Sequence, residues 1–86
     1  MKESYNVVIV NTKSIMSQSQ QAFYRERLKQ VLEREEIISI CLDDRSLFIE
    51  YNPSLIDGAS VIKLLLKYAV PIAEYMTESI SEPYYA

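Results

Sequence analysis

Two apolar segments, rich in isoleucine, leucine and aromatic residues, lie so close together that they determine how the middle of the chain must fold. Ile37–Leu42 and Leu47–Tyr51 alternate in hydrophobicity as strands do, and only the polar residues Asp43–Ser46 separate them. A connection this short allows only an antiparallel hairpin, because a parallel pair needs a crossover of a dozen or more residues. The centre of the chain therefore predicts an antiparallel sheet.

A strand, a loop and a helix are predicted before this hairpin. Tyr5–Asn11 is short and β-branched, and the polar segment Thr12–Gln20 that follows offers Ser17 or Ser19 as a helix N-cap. Apolar residues then repeat at helical spacing over Gln20–Arg34. The core positions that this spacing predicts are Tyr24, Leu28, Val31 and Leu32.

A second helix and a last strand are predicted after the hairpin. Asp57 is a strong N-cap, and Pro71 lies just beyond the end of the helical pattern. Ile72–Thr77 reads as a strand, and the tail from about residue 78 is expected to be loose. The inward positions of this helix are Val61, Leu64, Leu65 and Tyr68, and those of the first hairpin strand are Ile38, Ile40 and Leu42.

The order strand, helix, strand, strand, helix, strand predicts one α+β domain over residues 1–86. It is the order of a ferredoxin-like βαββαβ sandwich, in which two helices cover one face of a four-stranded antiparallel sheet. The other face of such a sheet is left open.

Residues after the third predicted strand resemble those of a known family. Tyr51–Ile56 is similar to the Tyr-Asp-Pro-Ser segment, with two following aliphatic residues, of heavy-metal-associated domains. Val61-Ile62-Lys63 falls where that family has an Ile-Ile pair in its second helix, and Leu65 falls at the next core position of that helix. The resemblance extends from Val7 to about Ala73, although Ala69 replaces the family's glycine before the fourth strand. It implies the ferredoxin-like fold.

The metal-binding part of that family's pattern is missing. Its paired-cysteine loop follows the first strand, and the corresponding Thr12–Gln20 contains no cysteine. The chain has no histidine, so Cys41 lacks a natural second ligand or base. Met16 and Cys41, on a loop and a distant strand, make a poor cage for Cu(I). We therefore expect no metal site and no cofactor.

Composition narrows the remaining classes of function. The formal net charge is −3, which disfavours nucleic acid and anionic lipid as partners. Lys63 and Lys67 interrupt the most apolar stretch, so no membrane span is expected, and from the first residues given no export signal is expected either. A single cysteine cannot form an internal disulfide, which fits a cytoplasmic location.

Two other binding functions remain as alternatives, and no enzymatic activity is expected. RNA-recognition motifs share the topology, but Val8 stands where such a motif needs an aromatic residue, and Glu50 lies beside Phe48. Amino-acid-sensing ACT domains also share it, yet Thr12–Gln20 has no glycine for close approach of a ligand. An enzyme would need converging acid–base or nucleophilic groups, and the pairs Glu35–Glu36 and Asp43–Asp44 are expected to diverge into water.

The open sheet face is the remaining candidate site. We place Val8, Val10, Cys41 and Phe48 on it, as an apolar patch that binds a protein partner or a second copy of the chain. An alternative is that the tail Ile80–Tyr85 folds back over this face. A small-molecule ligand is not excluded by the sequence.

The missing ligands generate a first prediction. Titration of the protein with Cu(I) or Zn(II), followed by NMR, is expected to show no specific site, because the loop that would supply thiolates has none. A stoichiometric, submicromolar site that shifts the signals of Met16 or Cys41 would contradict this expectation.

Overall fold

The structure, a computed structural model, describes residues 4–81, with side chains from 5 to 78. Strands and helices alternate much as the apolar pattern predicts. Their bounds are β1 Ser4–Thr12, α1 Gln18–Arg27, α2 Lys29–Leu32, β2 Ile37–Leu42, β3 Ser46–Tyr51, α3 Gly58–Lys67 and β4 Ile72–Ser81. None of these helices is long and apolar enough to cross a bilayer.

The strands described in residues 4–81 form one antiparallel sheet in the order β2-β3-β1-β4. The predicted hairpin of β2 and β3 is confirmed. Asp43 closes its turn, because Oδ1 of this residue accepts hydrogen bonds from the backbone N–H groups of Arg45 at 3.0 Å and Ser46 at 2.9 Å. The α+β class with a four-stranded antiparallel sheet is confirmed as well.

The hydrophobic core lies between one face of this sheet and the helices. Strand positions that point toward the helices are buried in β1 and β3, and they pack with apolar residues of α2 and α3 and the loops beside them. The most deeply buried members are Val8, Val10, Leu28, Val31, Leu47, Ile49, Tyr51, Val61 and Leu65. Each such aliphatic side chain stabilises the fold by about 1.5–3 kcal/mol through burial.

The first helical region begins and ends two residues earlier than predicted and is less regular. Ser17 is the N-cap of α1, and it forms a capping box with Gln20. The predicted continuous helix over Gln20–Arg34 is wrong, because it is interrupted at Leu28 and then tightened by hydrogen bonds three residues apart, such as Val31 N to Leu28 O at 3.0 Å. This change of phase leaves Leu32 44% exposed instead of in the core.

A register shift changes the face of one residue in β2. The pairing with β3 skips a residue between Ile37 and Ser39, which is typical of a β-bulge. Ile37 is therefore buried and Ile38 is exposed, so the prediction that Ile38 faces the core is wrong. Ile40 and Leu42 do pack against the core as predicted.

The ends of α3 are closed by specific hydrogen bonds. Asp57 accepts a hydrogen bond from the Ser60 backbone N–H at 2.8 Å, which confirms the predicted N-cap and lowers the pKa of its carboxyl. At the other end the backbone N–H groups of Ala69 and Val70 donate to the carbonyls of Leu66 and Leu65. This is the Schellman motif, and it holds Ala69 in the left-handed conformation with φ of 65°.

The last strand is longer than the predicted Ile72–Thr77. It pairs with β1 from Ile72 to Ser81, so the part of the predicted loose tail that falls in residues 78–81 is a paired strand instead. The rest of the tail, 82–86, lies outside the described residues. The alternative in which Ile80–Tyr85 folds over the open face therefore falls largely outside them too.

The strained backbone at Ala69 generates a prediction about stability. The left-handed conformation costs a residue with a Cβ atom about 1–2 kcal/mol, while glycine adds about 0.4–1 kcal/mol of entropy to the unfolded chain. We expect Ala69→Gly to raise the free energy of unfolding by about 0.5–1 kcal/mol in urea denaturation.

The same substitution elsewhere in α3 is the control. Ala59 is an exposed residue in the first turn of α3, where the backbone is already helical and Gly costs up to about 1 kcal/mol relative to Ala. Ala59→Gly should therefore destabilise the protein, and destabilisation by Ala69→Gly as well would contradict the account of strain at the end of α3.

Candidate interaction surface

Two of the four residues assigned to the open face lie on the opposite face. Val8 and Val10 are 0% exposed and pack beneath the helices, so their assignment to the interaction face is wrong. Both faces of β1 are apolar, since Val7 and Ile9 alternate with Val8 and Val10. Alternation alone therefore does not determine which pair faces the core.

The other two residues lie together on the open face. Cys41 of β2 is directly opposite Phe48 of β3, and both are exposed. Phe48 is in turn opposite Ile9 of β1, which is opposite Met76 of β4. These four residues, Cys41, Phe48, Ile9 and Met76, form a line across all the strands of residues 4–81, which we call the apolar row. Phe48 is 39% exposed and Met76 is 54% exposed.

Polar residues form a second line on one side of the apolar row. Two positions farther along the strands, Glu50 is opposite both Ser39 and Val7, and Val7 is opposite Glu78. The Ser39 hydroxyl donates to Oε1 of Glu50 at 2.6 Å. One edge of the apolar row is therefore bordered by two carboxylates, one of which is held in place.

A third line borders the opposite side of the apolar row. Ser46, Asn11 and Glu74 are paired across β3, β1 and β4. The Ser46 hydroxyl donates to Oδ1 of Asn11 at 3.3 Å, and Nδ2 of Asn11 donates to Oε2 of Glu74 at 3.0 Å. This chain of hydrogen bonds fixes the position of a third carboxylate.

The open face has two shallow depressions, one on each side of Ile9. A shallow groove of about 270 Å³ runs between the apolar row and the line of Glu50, and it is lined by Val7, Ile9, Ser39, Cys41, Phe48, Glu50 and Glu78. A second depression, of about 170 Å³, lies toward Glu74 and is lined by Ile9, Asn11, Glu74, Tyr75 and Met76. The two depressions flank Ile9, and both are open to solvent. They are suited to receive side chains projecting from another molecule.

The residues considered for metal binding do not meet. Met16 is buried in the core on the helix side of the sheet, whereas Cys41 lies on the open side. The sheet therefore separates the two sulfur atoms. Among the residues that the structure describes, no three His, Cys, Asp or Glu side chains converge on a position that a metal ion can occupy.

The two carboxylate pairs have local structural contacts. Glu36 pairs with Arg34 at 2.9 Å, and its pKa is lowered by a backbone hydrogen bond first and by the Arg34 side chain second. Asp43 accepts the turn hydrogen bonds described above, and the carbonyl of Asp44 accepts from the Met16 backbone N–H at 2.6 Å. These contacts hold turns and loop ends.

Comparison with known proteins gives no match for this chain among protein-family profiles, curated proteins or solved structures. Its function is therefore inferred from the geometry of the open face.

Sequence reasoning missed most of this surface. Glu50 was placed beside Phe48, but Val7, Ile9, Met76, Glu74 and Glu78 were not assigned to this surface. The missing signal is the pairing register, because Phe48 identifies the open face only after β1 and β4 have been aligned beside β3. Once Phe48 is taken as exposed, the alignment places Ile9 and Met76 next to it.

The position of Cys41 generates a prediction about reactivity. The native protein should react with Ellman's reagent completely and in one phase without denaturant, because the thiol is exposed. A thiol buried in the core would react only through rare unfolding, slower by a factor on the order of a thousand or more.

A buried reference makes this measurement quantitative. Val31→Cys in a Cys41→Ser background places the single thiol in the core, and it should show the slow reaction. Equal rates for the two proteins would contradict the assignment of Cys41 to the open face.

Proposed function

We propose that this chain is a non-catalytic interaction module that binds another protein through the apolar row. Its fold is proposed to be ferredoxin-like, resembling a heavy-metal-associated domain without the metal site. The order of strands and helices along the chain and the antiparallel sheet β2-β3-β1-β4 support this fold. The observation that carries the function is the exposure of Phe48 and Met76 in one apolar line across the sheet.

An exposed aromatic residue in such a position favours protein binding. Phe48 lies between Cys41 and Ile9 in the apolar row, away from the sheet edges. Binding energy at protein interfaces concentrates in central aromatic anchors that lose their contact with water. Methionine adds an adaptable apolar surface beside it. The rigid sheet below these side chains reduces the entropy lost when a partner binds.

The same face disfavours the RNA-binding alternative. Single-stranded RNA needs two or three stacking aromatics with cations nearby. Phe48 is the aromatic residue of the apolar row, and the residues flanking that row include Glu50, Glu74 and Glu78. These carboxylates repel phosphate, so the proposal excludes nucleic acid.

A thermal-shift screen distinguishes the proposed protein-binding function from that of a small-molecule sensor. The groove of about 270 Å³ lies just below the usual range of about 300–1,000 Å³ for enclosed ligand sites, and it is open to solvent. We expect amino acids and nucleotides to leave the melting temperature unchanged in a thermal-shift screen. A saturable rise would support the sensor instead.

The proposal includes a cytoplasmic location, which the free thiol of Cys41 supports. It also includes the absence of catalysis. Of the carboxylates considered for acid–base chemistry, Glu36 is paired with Arg34 and Asp43 accepts the hydrogen bonds of its turn, so both have structural roles.

Substitution of Phe48 tests the proposed function. Phe48→Glu should leave the circular dichroism spectrum unchanged and lower the melting temperature by only about 4–8 °C, because this side chain is 39% exposed and lies outside the core. It should abolish capture of any partner that the wild-type domain retains in quantitative pull-downs. Val8→Glu, by contrast, should unfold the domain, because it buries an unpaired carboxylate.

A matched substitution on another surface controls for the added charge. Leu66 is 55% exposed on α3, so Leu66→Glu adds the same carboxylate away from the apolar row. Partners lost with Phe48→Glu and kept with Leu66→Glu support the proposal. Partners kept by both variants, or unfolding of Phe48→Glu, would contradict it.

A further inference from the structure

Carboxylates border the apolar row on both sides. Glu50 and Glu78 lie on the side of the larger groove, and Glu74 lies on the other side. Among residues 5–78 no ion pair involves these three carboxylates, and no lysine or arginine occupies an open-face position of a strand. The cations of residues 5–78 are on helices or in loops: Lys13, Arg25, Arg27, Lys29, Arg34, Arg45, Lys63 and Lys67.

Two of the three carboxylates are already oriented. Ser39 holds one oxygen of Glu50, and Asn11 holds one oxygen of Glu74. Each carboxylate keeps further lone pairs for another donor. Because these two carboxylates are already held in position, little additional side-chain entropy is lost when a cation binds to them. The open face is apolar along its middle and negative along both margins.

The dimensions of this pattern match a short helix. Three strand spacings of about 4.8 Å make the apolar row about 14 Å long, which corresponds to roughly ten residues of α-helix. The bordering lines lie two residues away along the strands, about 7 Å on either side. A helix about 10 Å wide that lies along the row places the side chains of its flanks above these lines.

We propose that the partner segment is an amphipathic helix whose apolar stripe is flanked on both sides by lysine or arginine. This inference rests on the proposed interaction function and specifies the chemistry of the partner. The apolar stripe covers Phe48 and Met76, and the flanking cations meet Glu50, Glu74 and Glu78. A second copy docked face to face is disfavoured, because it brings six carboxylates together without a cation.

Designed peptides test this partner chemistry directly. The probe is a labelled, end-blocked helical peptide of about 14 residues, with leucines in one stripe and lysines on both flanks. One comparison peptide has glutamate at every lysine position, and a second keeps the leucine and lysine composition but scrambles the stripe. Fluorescence anisotropy measures the binding of each peptide at low and at physiological salt.

Substitutions on the domain separate charge from apolar contact. A triple variant, Glu50→Gln with Glu74→Gln and Glu78→Gln, removes the charges, while its amide oxygens still accept from Ser39 and Asn11. We expect it to bind the leucine–lysine peptide about tenfold more weakly, with a smaller dependence on salt. Phe48→Glu should bind more weakly than wild type, and Leu66→Glu should bind as wild type does.

The outcomes distinguish the partner chemistry from the interaction function itself. Any one of three results overturns the cationic helix. The lysine and glutamate peptides bind equally well, the triple variant binds as wild type does, or the scrambled peptide binds as tightly as the striped one. Self-association in sedimentation velocity that Phe48→Glu abolishes also overturns the cationic helix, although that result upholds the interaction function. Failure of every peptide to bind, together with partner capture that Phe48→Glu leaves unchanged, overturns both.

Discussion

The pairing of β1 with two neighbours is the constraint on which the rest of the structure depends. This strand lies between β3 and β4, and its alternating side chains are apolar on both faces. Val8 and Val10 anchor the core beneath the helices, while Ile9 lies in the apolar row on the other side. One strand therefore supplies both the centre of the hydrophobic core and the centre of the proposed binding surface. The antiparallel register then sets which residues of the other strands join each group.

Local signals in the sequence were enough to predict the strands and helices. To predict which face of the sheet each residue lies on, the pairing register of the strands was also needed. The short polar turn after β2 and the cap at Asp57 act over a few residues, and both were predicted correctly. Val8 and Val10 were assigned to the wrong face because Val7 and Ile9, which alternate with them along β1, are also apolar. Ile38 changes face through a register shift, which no periodicity shows. The surface around Phe48 was only half predicted for the same reason, since Ile9 and Met76 reach it through pairing across four strands.

The division of charge between the two sides of the molecule follows from this arrangement. Helices α1, α2 and α3 carry lysines and arginines, and two side chains of α1 use hydrogen bonds to close the end of α3. Arg27 donates to the Tyr68 carbonyl at 3.2 Å, and the Tyr24 hydroxyl donates to the Ala69 carbonyl at 3.2 Å. Such contacts suit the negative end of a helix. The open sheet face has no helix ends to satisfy, and its charged positions are glutamates. These glutamates do not cap any helix, so we expect that they can be substituted with little effect on the fold.

The loop after β1 is held against the core and against the neighbouring connections of the domain. Here Met16 turns inward to the core, and its backbone N–H is bonded to the Asp44 carbonyl of the hairpin turn. The Thr12 hydroxyl donates to the Ser14 carbonyl at 2.8 Å, and the Lys13 backbone N–H donates to the Pro71 carbonyl at 3.0 Å. A loop tied to the core and to two other connections stabilises the domain and leaves few groups free for a ligand. The exposed apolar and acidic side chains lie on the sheet, where strand pairing holds Phe48 and its flanking carboxylates at the fixed spacing that the proposed partner helix would use.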